Sequence, residues 1–383
     1  MAGGDDGRSR GAAGLRGEGL KTTGIRGAPR VPRGAPSAGG LGAISGPPAI
    51  SIVMPVRDAA QTLDAAVASI REQTERDWEL IAVDDGSEDD SAARLAALAA
   101  ADARIRVRST ARRGLVPALR TGLGLAHGAL IARMDADDLA RPERLARQRA
   151  HLETHPETGL VATRVAFDGD RATAGGYARY VDWTNGLLSA DDIRLASFIE
   201  SPFAHPSVMF RRDVVDRHGG YAQGDFPEDY ELWLRWLAAG VRMEKLPDTL
   251  LVWRDTPGRL SRHDGRYDPD AFARVKATYL ARWLRTHNAH HPTIAVWGAG
   301  RVSRRHARHL AARGIAIDAW IDIDPAKIGQ QIEGAPVIAP ADLGEPGRRF
   351  VVSYVGSHGA REIIAAALDA RGYRPGRDYV LAA

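Results

Sequence analysis

Three carboxylates, those of Asp135, Asp137 and Asp138, directly follow an apolar segment that is typical of a β-strand. Because side chains two residues apart on an extended backbone point the same way, Asp135 and Asp137 are predicted to face one ligand together. Two hard oxygen ligands at the end of a strand can hold Mg²⁺ or Mn²⁺ against a phosphate group. Asp-rich turns are also common without a metal, so this pattern needs support from the rest of the chain.

Two further pairs of acids stand in similar positions. Asp84 and Asp85 end a second apolar segment, and Glu228 and Asp229 begin a segment whose apolar spacing predicts a buried helix over 227–239. Each pair also has a structural explanation. Asp85 could cap the next helix, and acids in the first turn of a helix are favoured by its dipole. That dipole would also keep the pKa of Asp229 low until a substrate binds.

Apolar segments and helical patterns alternate from residue 49 onwards, which predicts a parallel sheet with right-handed crossovers. Strands are predicted at 49–55, 78–83, 105–107 and 129–134, and helices at 59–73, 91–101 and 115–126. Ligands of such sheets bind at the carboxyl ends of the strands, where the acidic pairs lie. Further helices are predicted at 144–155 and 271–285, whereas 159–201 carries no clear pattern.

The composition is that of a globular protein, with 44% hydrophobic and 26% charged residues in a chain of 383. The net charge of +4 arises within residues 1–48, whose seven Lys or Arg and three acids account for all of it. The remainder is formally neutral, which argues against a nucleic-acid partner.

The absence of cysteine excludes disulfides and thiolate chemistry, and it fits a reducing compartment. No apolar run is long enough for a transmembrane helix. We therefore expect a cytoplasmic protein that contacts the inner face of the membrane at most.

The chain divides into four predicted regions. Residues 1–48 are rich in Gly, Ala, Arg and Pro and are expected to be disordered, because they cannot bury enough apolar surface to fold. A first α/β domain is predicted over 49–286. A polar linker, 287–292, leads to a second domain over 293–383.

The second domain begins with a strand and a glycine turn formed by Gly298 and Gly300, with Ser303 at the position of the third glycine of the dinucleotide fingerprint. Asp322 ends the next predicted strand, where a ribose-binding acid would stand. This region resembles the small Rossmann-like domains at the ends of some sugar-modifying enzymes. The resemblance implies nucleotide-sugar binding or a packing role.

Residues 50–262 as a whole resemble the family-2 glycosyltransferases, which have the GT-A fold. Five motifs occur in the family's order: SIVMPV (51–56), VDDGS (83–87), MDADD (134–138), HPSV (205–208) and EDYELWLR (228–235). The resemblance implies transfer of a sugar from a nucleoside-diphosphate sugar to an acceptor hydroxyl, with inversion at the anomeric carbon. The family's commonest setting is the synthesis of polysaccharides and glycoconjugates, including lipid-linked glycans.

The resemblance also implies roles for single residues. Asp137 would hold the divalent cation, and Asp135 would share it or reach the ribose. The donor-binding residues implied in this way are Pro55, Val56, Asp84, Asp85, Asp135 and Arg254. Asp229 would be the general base, with Glu228 as the alternative, and His205 would either pack under the acceptor site or touch the acceptor.

Two other hypotheses about the function are compatible with the sequence. One is a sugar-modifying or NAD-linked enzyme centred on the second domain, and the other is an inactive protein that binds nucleotide sugars. The transferase reading requires Asp137 and Asp229, and both are present. One departure from the family, Arg57 and Asp58 in place of the usual Asn, leaves nucleotide selectivity in question.

Overall fold

The computed structural model describes residues 46–256, 258–357 and 359–383. The predicted disordered segment, 1–48, therefore lies outside the described residues except at its last three positions. No helix within these ranges is long and apolar enough to cross a bilayer.

The strands of the described residues are β1 (Ile50–Val56), β2 (Trp78–Asp85), β3 (Ile105–Thr110), β4 (Leu130–Arg133), β5 (Leu139–Ala140), β6 (Thr158–Asp168), β7 (Met209–Arg211), β8 (Arg242–Arg254), β9 (Thr293–Trp297), β10 (Ala316–Ile321), β11 (Gln331–Ile332), β12 (Ala335–Ile338), β13 (Val351–Ser353) and β14 (Tyr379–Leu381). The α-helices are α1 (Leu63–Arg71), α2 (Ser91–Ala101), α3 (Leu115–Leu125), α4 (Arg144–Thr154), α5 (Gly175–Asn185), α6 (Ala190–Ala196), α7 (Arg212–His218), α8 (Glu228–Ala238), α9 (Pro269–His287), α10 (Arg301–Ala311) and α11 (Ala360–Asp369).

The larger sheet has the strand order β3-β2-β1-β4-β7-β6-β8-β5. Its first four strands are parallel, as the alternation of strands and helices predicts. β7 then pairs antiparallel to both β4 and β6, so the sheet is mostly parallel, as predicted, with its antiparallel pairings in the second half. That half is built mainly from the long strands β6 and β8, which pair in parallel.

β1 and β2 read as apolar runs because both faces of the sheet are covered. Nearly every residue of the two strands is buried, between helices on either side. Glu79 of β2 is a buried acid within these strands, and its carboxylate accepts hydrogen bonds from Ser51 at 2.6 Å and Arg106 at 2.6 Å. The strands thus form a rigid base, and their carboxyl ends carry the loops described below.

The second sheet has the strand order β11-β12-β10-β9-β13-β14, and all its pairings are parallel except that of β11. Its direction of winding reverses between β9 and β13, which is the pattern of a Rossmann-like sheet. Helix α9 contributes Leu280 and Leu284 to one hydrophobic core together with Val296 and Val352 of this sheet. This core is continuous across residues 287–292, so the predicted division of the chain into two domains at that linker stays a prediction.

Candidate active site

A cleft of about 1270 Å³ lies at the carboxyl ends of β1, β2 and β4. It contains residues from each of the acidic segments predicted to form the site, together with basic and aromatic residues from the second half of the fold. Its lining includes Pro55, Val56, Arg57, Asp85, Arg133, Asp135, Asp137, Tyr180, Glu200, Phe203, His205, Glu228, Asp229, Trp253, Arg259, Arg266 and Tyr267.

The mouth of the cleft is built by two loops that hold each other. The carboxylate of Asp58 accepts a hydrogen bond from the backbone of Glu88 at 2.8 Å, and Ser87 Oγ accepts one from the backbone of Asp58 at 3.0 Å. Asp58 has φ +48°, a left-handed conformation that Asn and Asp tolerate better than most residues. Asp can therefore replace the usual Asn here without a change in the path of the chain.

Asp85 lines this mouth, but it does not cap the helix that follows it. Its two oxygens accept hydrogen bonds from the backbone N–H groups of Arg113 and Gly114, each at 2.7 Å, so the carboxylate fixes the loop before α3. Asp84 is buried, and it accepts a hydrogen bond from the backbone of Ser87 at 3.1 Å. Its side chain is not part of the cleft lining. Its predicted contact with the base of the nucleotide stays a prediction.

Asp135, Asp137 and Asp138 are brought together by a turn and not by an extended strand, so the geometric reason predicted for their convergence is wrong. β4 ends at Arg133, and one oxygen from each of the three carboxylates lies within 4.8 Å of the other two. Asp135 pairs with Arg133 at 2.6 Å, and Asp137 accepts a hydrogen bond from Thr256 at 3.2 Å. The turn concentrates three acids where the sequence predicted two.

These carboxylates suit a divalent cation. Burial and the charge of Asp135 raise the pKa of Asp137, and burial together with its two acidic neighbours raises that of Asp138 well above its usual range. Asp138 Oδ1 accepts a hydrogen bond from the backbone of Arg254 at 2.9 Å, whereas its buried Oδ2 has no partner among the described residues. A cation would neutralise this cluster and use its free oxygens.

The structure places Arg259, not Arg254, in the cleft. The Arg254 side chain lies 3.9 Å from Asp168 and is not part of the lining. The guanidinium of Arg259 lies 3.8 Å from the centre of the Trp253 ring, and its positive charge partly offsets the rise in the pKa of Asp137 that burial and Asp135 cause. Arg259 therefore stands beside the acidic turn together with Arg133, which pairs with Asp135.

Glu228 and Asp229 begin α8 and face the opposite part of the cleft. Glu228 is 2% exposed and accepts hydrogen bonds from Tyr267 Oη at 2.8 and 3.0 Å, with Arg266 3.8 Å away. Burial raises its pKa. Asp229 accepts a hydrogen bond from the backbone of Tyr230 at 2.7 Å and from no side chain of the described residues.

Burial, followed by the charge of Glu228, raises the pKa of Asp229 to about 8. The prediction that the helix dipole would keep this pKa low is therefore wrong. A helix terminus stabilises an adjacent anion modestly, whereas burial beside a second carboxylate opposes ionisation strongly. With this pKa Asp229 is mostly protonated at neutral pH, and it becomes available as a base as the pH approaches 8.

His205 lies in the floor of the cleft. Its Nε2 is 2.7 Å from Tyr221 Oη, its Nδ1 is 3.9 Å from Glu228, and its ring packs edge-on against Trp233. Burial and the nearby Arg133 hold its pKa well below the usual range, so the ring is neutral. The contacts favour the packing role predicted for it and leave it within the lining.

The glycine turn of the second sheet lies outside this cleft. Gly298 has φ +113°, and a Cβ there would meet Ser303 Oγ at 2.5 Å, so the small residues allow α10 to approach the strand. Asp322 accepts hydrogen bonds from the backbone of Ala299 at 3.0 Å and from Lys327 at 3.1 Å. The acid predicted to bind a ribose holds the turn itself in this structure, and Gly300 is the N-cap of α10.

Comparison with known proteins is consistent with this geometry. The sequence profile of "Glycosyl transferase family 2" matches residues 51–219. The amylovoran biosynthesis glycosyltransferase AmsE of Erwinia amylovora is 33% identical over 203 residues, which are 52% of this chain and 72% of AmsE. The O-antigen biosynthesis glycosyltransferase WbnJ of Escherichia coli is 29% identical over 208 residues, 54% of this chain and 79% of WbnJ.

Not every relative is covered so fully. An uncharacterized glycosyltransferase of Haemophilus influenzae is 35% identical over 153 residues, 40% of this chain but 55% of that protein. Among solved structures, S. aureus TarS (residues 1–349) in complex with UDP-GlcNAc superposes with a TM-score of 0.49 at 14% identity. The superposition covers 69% of this chain and 70% of that one.

The fold and the site define a nucleotide-sugar-dependent transferase with a GT-A fold and a second, smaller sheet. The chain belongs to glycosyl transferase family 2. The predictions of family, fold class and enzymatic nature are confirmed.

Proposed function

We propose that this protein transfers a sugar from a nucleoside-diphosphate sugar to a hydroxyl group of a glycan or glycoconjugate acceptor, with inversion at the anomeric carbon. The observation that carries the proposal is the placement of two unlike sets of carboxylates in one cleft. The acidic turn suits a metal-bound diphosphate. The carboxylate of Asp229, whose pKa is raised to about 8, suits a general base.

The donor side accounts for the leaving group. Asp137, with Asp135 and Asp138 beside it, would hold Mg²⁺ or Mn²⁺, which supplies neutralisation of the charge that develops on the departing diphosphate. Arg259 adds a fixed positive charge on the same side. Pro55, Val56 and Asp85 border the mouth where the nucleotide would lie.

The acceptor side accounts for the nucleophile. Asp229 takes the proton of the attacking hydroxyl, and its raised pKa makes it a stronger base than an ordinary aspartate. Glu228 is already engaged by Tyr267 and Arg266, so it acts on the pKa of Asp229 through its charge. One carboxylate on the face opposite the leaving group is what an inverting displacement requires.

The names of AmsE and WbnJ support an acceptor in the synthesis of a surface glycan. We propose the same broad setting here, with a cytoplasmic location as the sequence predicts. The neutral charge of residues 49–383 gives no support to a nucleic-acid partner.

The proposal is tested by donor hydrolysis. The enzyme is incubated with UDP-glucose, UDP-galactose, UDP-GlcNAc and GDP-mannose, with and without Mn²⁺, and release of the nucleoside diphosphate is measured. We expect Mn²⁺-dependent hydrolysis of at least one donor, loss of that activity in Asp137→Asn, and no loss in Asp216→Asn, which removes the same charge at an exposed site on α7. Full Mn²⁺-stimulated activity in Asp137→Asn would contradict the metal assignment.

A further inference from the structure

One wall of the cleft beside Asp229 is formed by residues 197–204, which we call the wall loop. Glu200, Ser201, Phe203 and Ala204 of this loop line the cleft. The loop follows α6, and residues 197–201 of it belong to the region that carries no clear pattern in the sequence. Its place next to the proposed base puts it on the acceptor side.

The backbone of the wall loop is held by side chains from four different elements. The carbonyl of Ser197 accepts a hydrogen bond from Tyr230 Oη at 2.6 Å, and that of Ile199 accepts one from Lys276 Nζ at 2.8 Å. The carbonyl of Pro202 accepts two, from Thr184 Oγ1 at 2.5 Å and from Lys245 Nζ at 3.1 Å. The carbonyl of Phe203 accepts one from Tyr180 Oη at 2.8 Å. These donors belong to α8, α9, α5 and β8. The loop is therefore fixed relative to the second half of the fold, which carries Asp229.

Two of these donors are buried lysines. Lys245 is 5% exposed and Lys276 is 7% exposed, and their hydrogen bonds go to carbonyl and hydroxyl oxygens. Burial lowers their pKa values to about 7 and about 8 respectively. Burying an ammonium group costs free energy, whereas a neutral donor could make hydrogen bonds to the same carbonyl groups at a lower cost. The two lysines thus hold the wall loop in one position, and their burial costs free energy of folding.

Lys276 also connects the loop to the second sheet, because its amine donates a hydrogen bond to the carbonyl of Ala382 at 2.8 Å. Phe198 of the wall loop packs on Trp283 of α9 with ring centres 5.5 Å apart, and it belongs to the core that α9 shares with the second sheet. The second sheet therefore supports the acceptor wall from behind.

Glu200 is the acid that the wall loop carries into the cleft. Its carboxylate accepts one hydrogen bond among the described residues, from the backbone of Ser201 at 3.1 Å. A carboxylate has about four acceptor sites, so most of its capacity is unused. Glu200 and Asp229 both line the cleft, and the charge of Glu200 adds to the rise in the pKa of Asp229 after burial and the charge of Glu228.

We propose that Glu200 binds a second hydroxyl group of the acceptor while Asp229 takes the proton from the first, so that the acceptor is a sugar with two neighbouring hydroxyl groups. Lys245 and Lys276 are positioning residues that fix the distance between Glu200 and Asp229. The aromatic rings of Tyr180 and Phe203 in the same wall offer faces for the apolar surface of a sugar ring. This inference rests on the proposed transferase function.

The test compares transfer to a sugar with transfer to water. A donor that the wild-type enzyme hydrolyses is supplied with methyl glycosides of glucose, galactose, mannose and GlcNAc, and both glycoside product and free sugar are measured. We expect Glu200→Ala to lower transfer to the preferred glycoside roughly 10- to 100-fold, the value of a hydrogen bond to a charged group. Hydrolysis should stay within about 3-fold of wild type, because water needs no second contact.

Glu231→Gln is the matched control. Glu231 is a buried glutamate on α8 whose carboxylate accepts hydrogen bonds from Arg235 at 2.9 Å and Tyr279 at 2.6 Å, outside the cleft lining. Both reactions should keep their wild-type rates in this variant. Equal loss of transfer and hydrolysis in Glu200→Ala, or no loss of either, would overturn the inference.

Lys276→Met provides a second test that leaves the Glu200 side chain in place and removes a positive charge that lowers the pKa of Glu200. If Lys276 positions the wall loop, transfer to the glycoside should fall while hydrolysis persists in the folded enzyme. A lowered melting temperature with an unchanged ratio of transfer to hydrolysis would show a purely structural role and overturn that part of the inference. A wild-type enzyme that hydrolyses a donor but transfers to no methyl glycoside would contradict the diol acceptor and leave the metal-dependent donor chemistry intact. Failure of donor hydrolysis itself would instead refute the proposed function.

Discussion

The raised pKa of Asp229 has a consequence for stability as well as for catalysis. A carboxyl whose pKa is higher in the folded protein binds its proton more tightly when folded. The stability that this proton contributes is therefore present at low pH and lost as the pH rises from about 4 to about 8. Asp229→Asn cannot ionise, so it avoids that loss. We expect this variant to be more stable than the wild type at alkaline pH.

The magnitude follows from the pKa difference. The pKa of Asp229 is about 8 in the fold against 3.8 for a free carboxyl, and each pKa unit corresponds to ~1.36 kcal/mol, so ionisation within the fold costs on the order of 6 kcal/mol. Between pH 5 and pH 9 the advantage of the variant should grow by ~4 kcal/mol. For a chain of this size that is on the order of 5 °C in melting temperature.

The assay is a thermal melt of the wild type and Asp229→Asn at pH 5, 7 and 9. Asp225→Asn serves as the control, because it removes an exposed carboxylate close to α8 and should track the wild type at every pH. If the difference between Asp229→Asn and the wild type does not grow with pH, Asp229 is already ionised at pH 5 and its pKa is not raised. The reasoning about burial and Glu228 would then be refuted.

Further predictions concern activity and local packing. The pH profile of kcat/KM should rise with pH through a limb near 8, because Asp229 must lose its proton to act, and Glu228→Gln should move that limb to lower pH by removing a neighbouring charge. Arg259→Met should weaken the Kd for UDP or GDP in the presence of Mn²⁺ about 10-fold by calorimetry, whereas Arg254→Met should not, since only Arg259 of the two lines the cleft. Gly128→Ala should lower the free energy of unfolding in urea by about 1–3 kcal/mol, because the added Cβ would lie 2.6 Å from a backbone nitrogen of β1.

The sequence is most informative where contacts are local in the chain. The alternation over residues 49–134 predicts β1 to β4 and α1 to α3, because each strand pairs with a neighbour reached through one crossover helix. The acids at the ends of β2 and β4 are predicted to meet for the same reason. Strand direction alone decides which ends share an edge.

The second half of the sheet was not predicted because its contacts are distant in the chain. β6 and β8 are long but carry polar residues and, in β8, Pro247, so neither has a simple period. The positions of Arg259, Arg266 and Tyr267 depend on where β8 ends, and sequence spacing gave no register for it. This is why Arg254 was predicted at the place that Arg259 occupies.

The role of Asp229 as a carboxylate at the start of a helix could be predicted from the sequence, but its pKa could not. The motif identifies a carboxylate at the start of a helix, and the helix dipole is a local effect that can be read from sequence. Burial among Tyr180, Tyr267 and Glu228 is a tertiary effect, and it reverses the direction of the expected pKa shift. Glu200 was missed because nothing in the pattern of 159–201 shows which side chains face the cleft.

The assignment of the catalytic base is tested most directly by measuring Asp229→Asn and Glu228→Gln side by side, with turnover and donor affinity determined for both. The account predicts that Asp229→Asn loses about 10²–10⁴-fold in kcat with an unchanged donor Kd, since the base acts on the acceptor. Glu228→Gln should lose much less. An inactive Glu228→Gln beside an active Asp229→Asn would exchange the two roles, and full activity in both variants would contradict the mechanism.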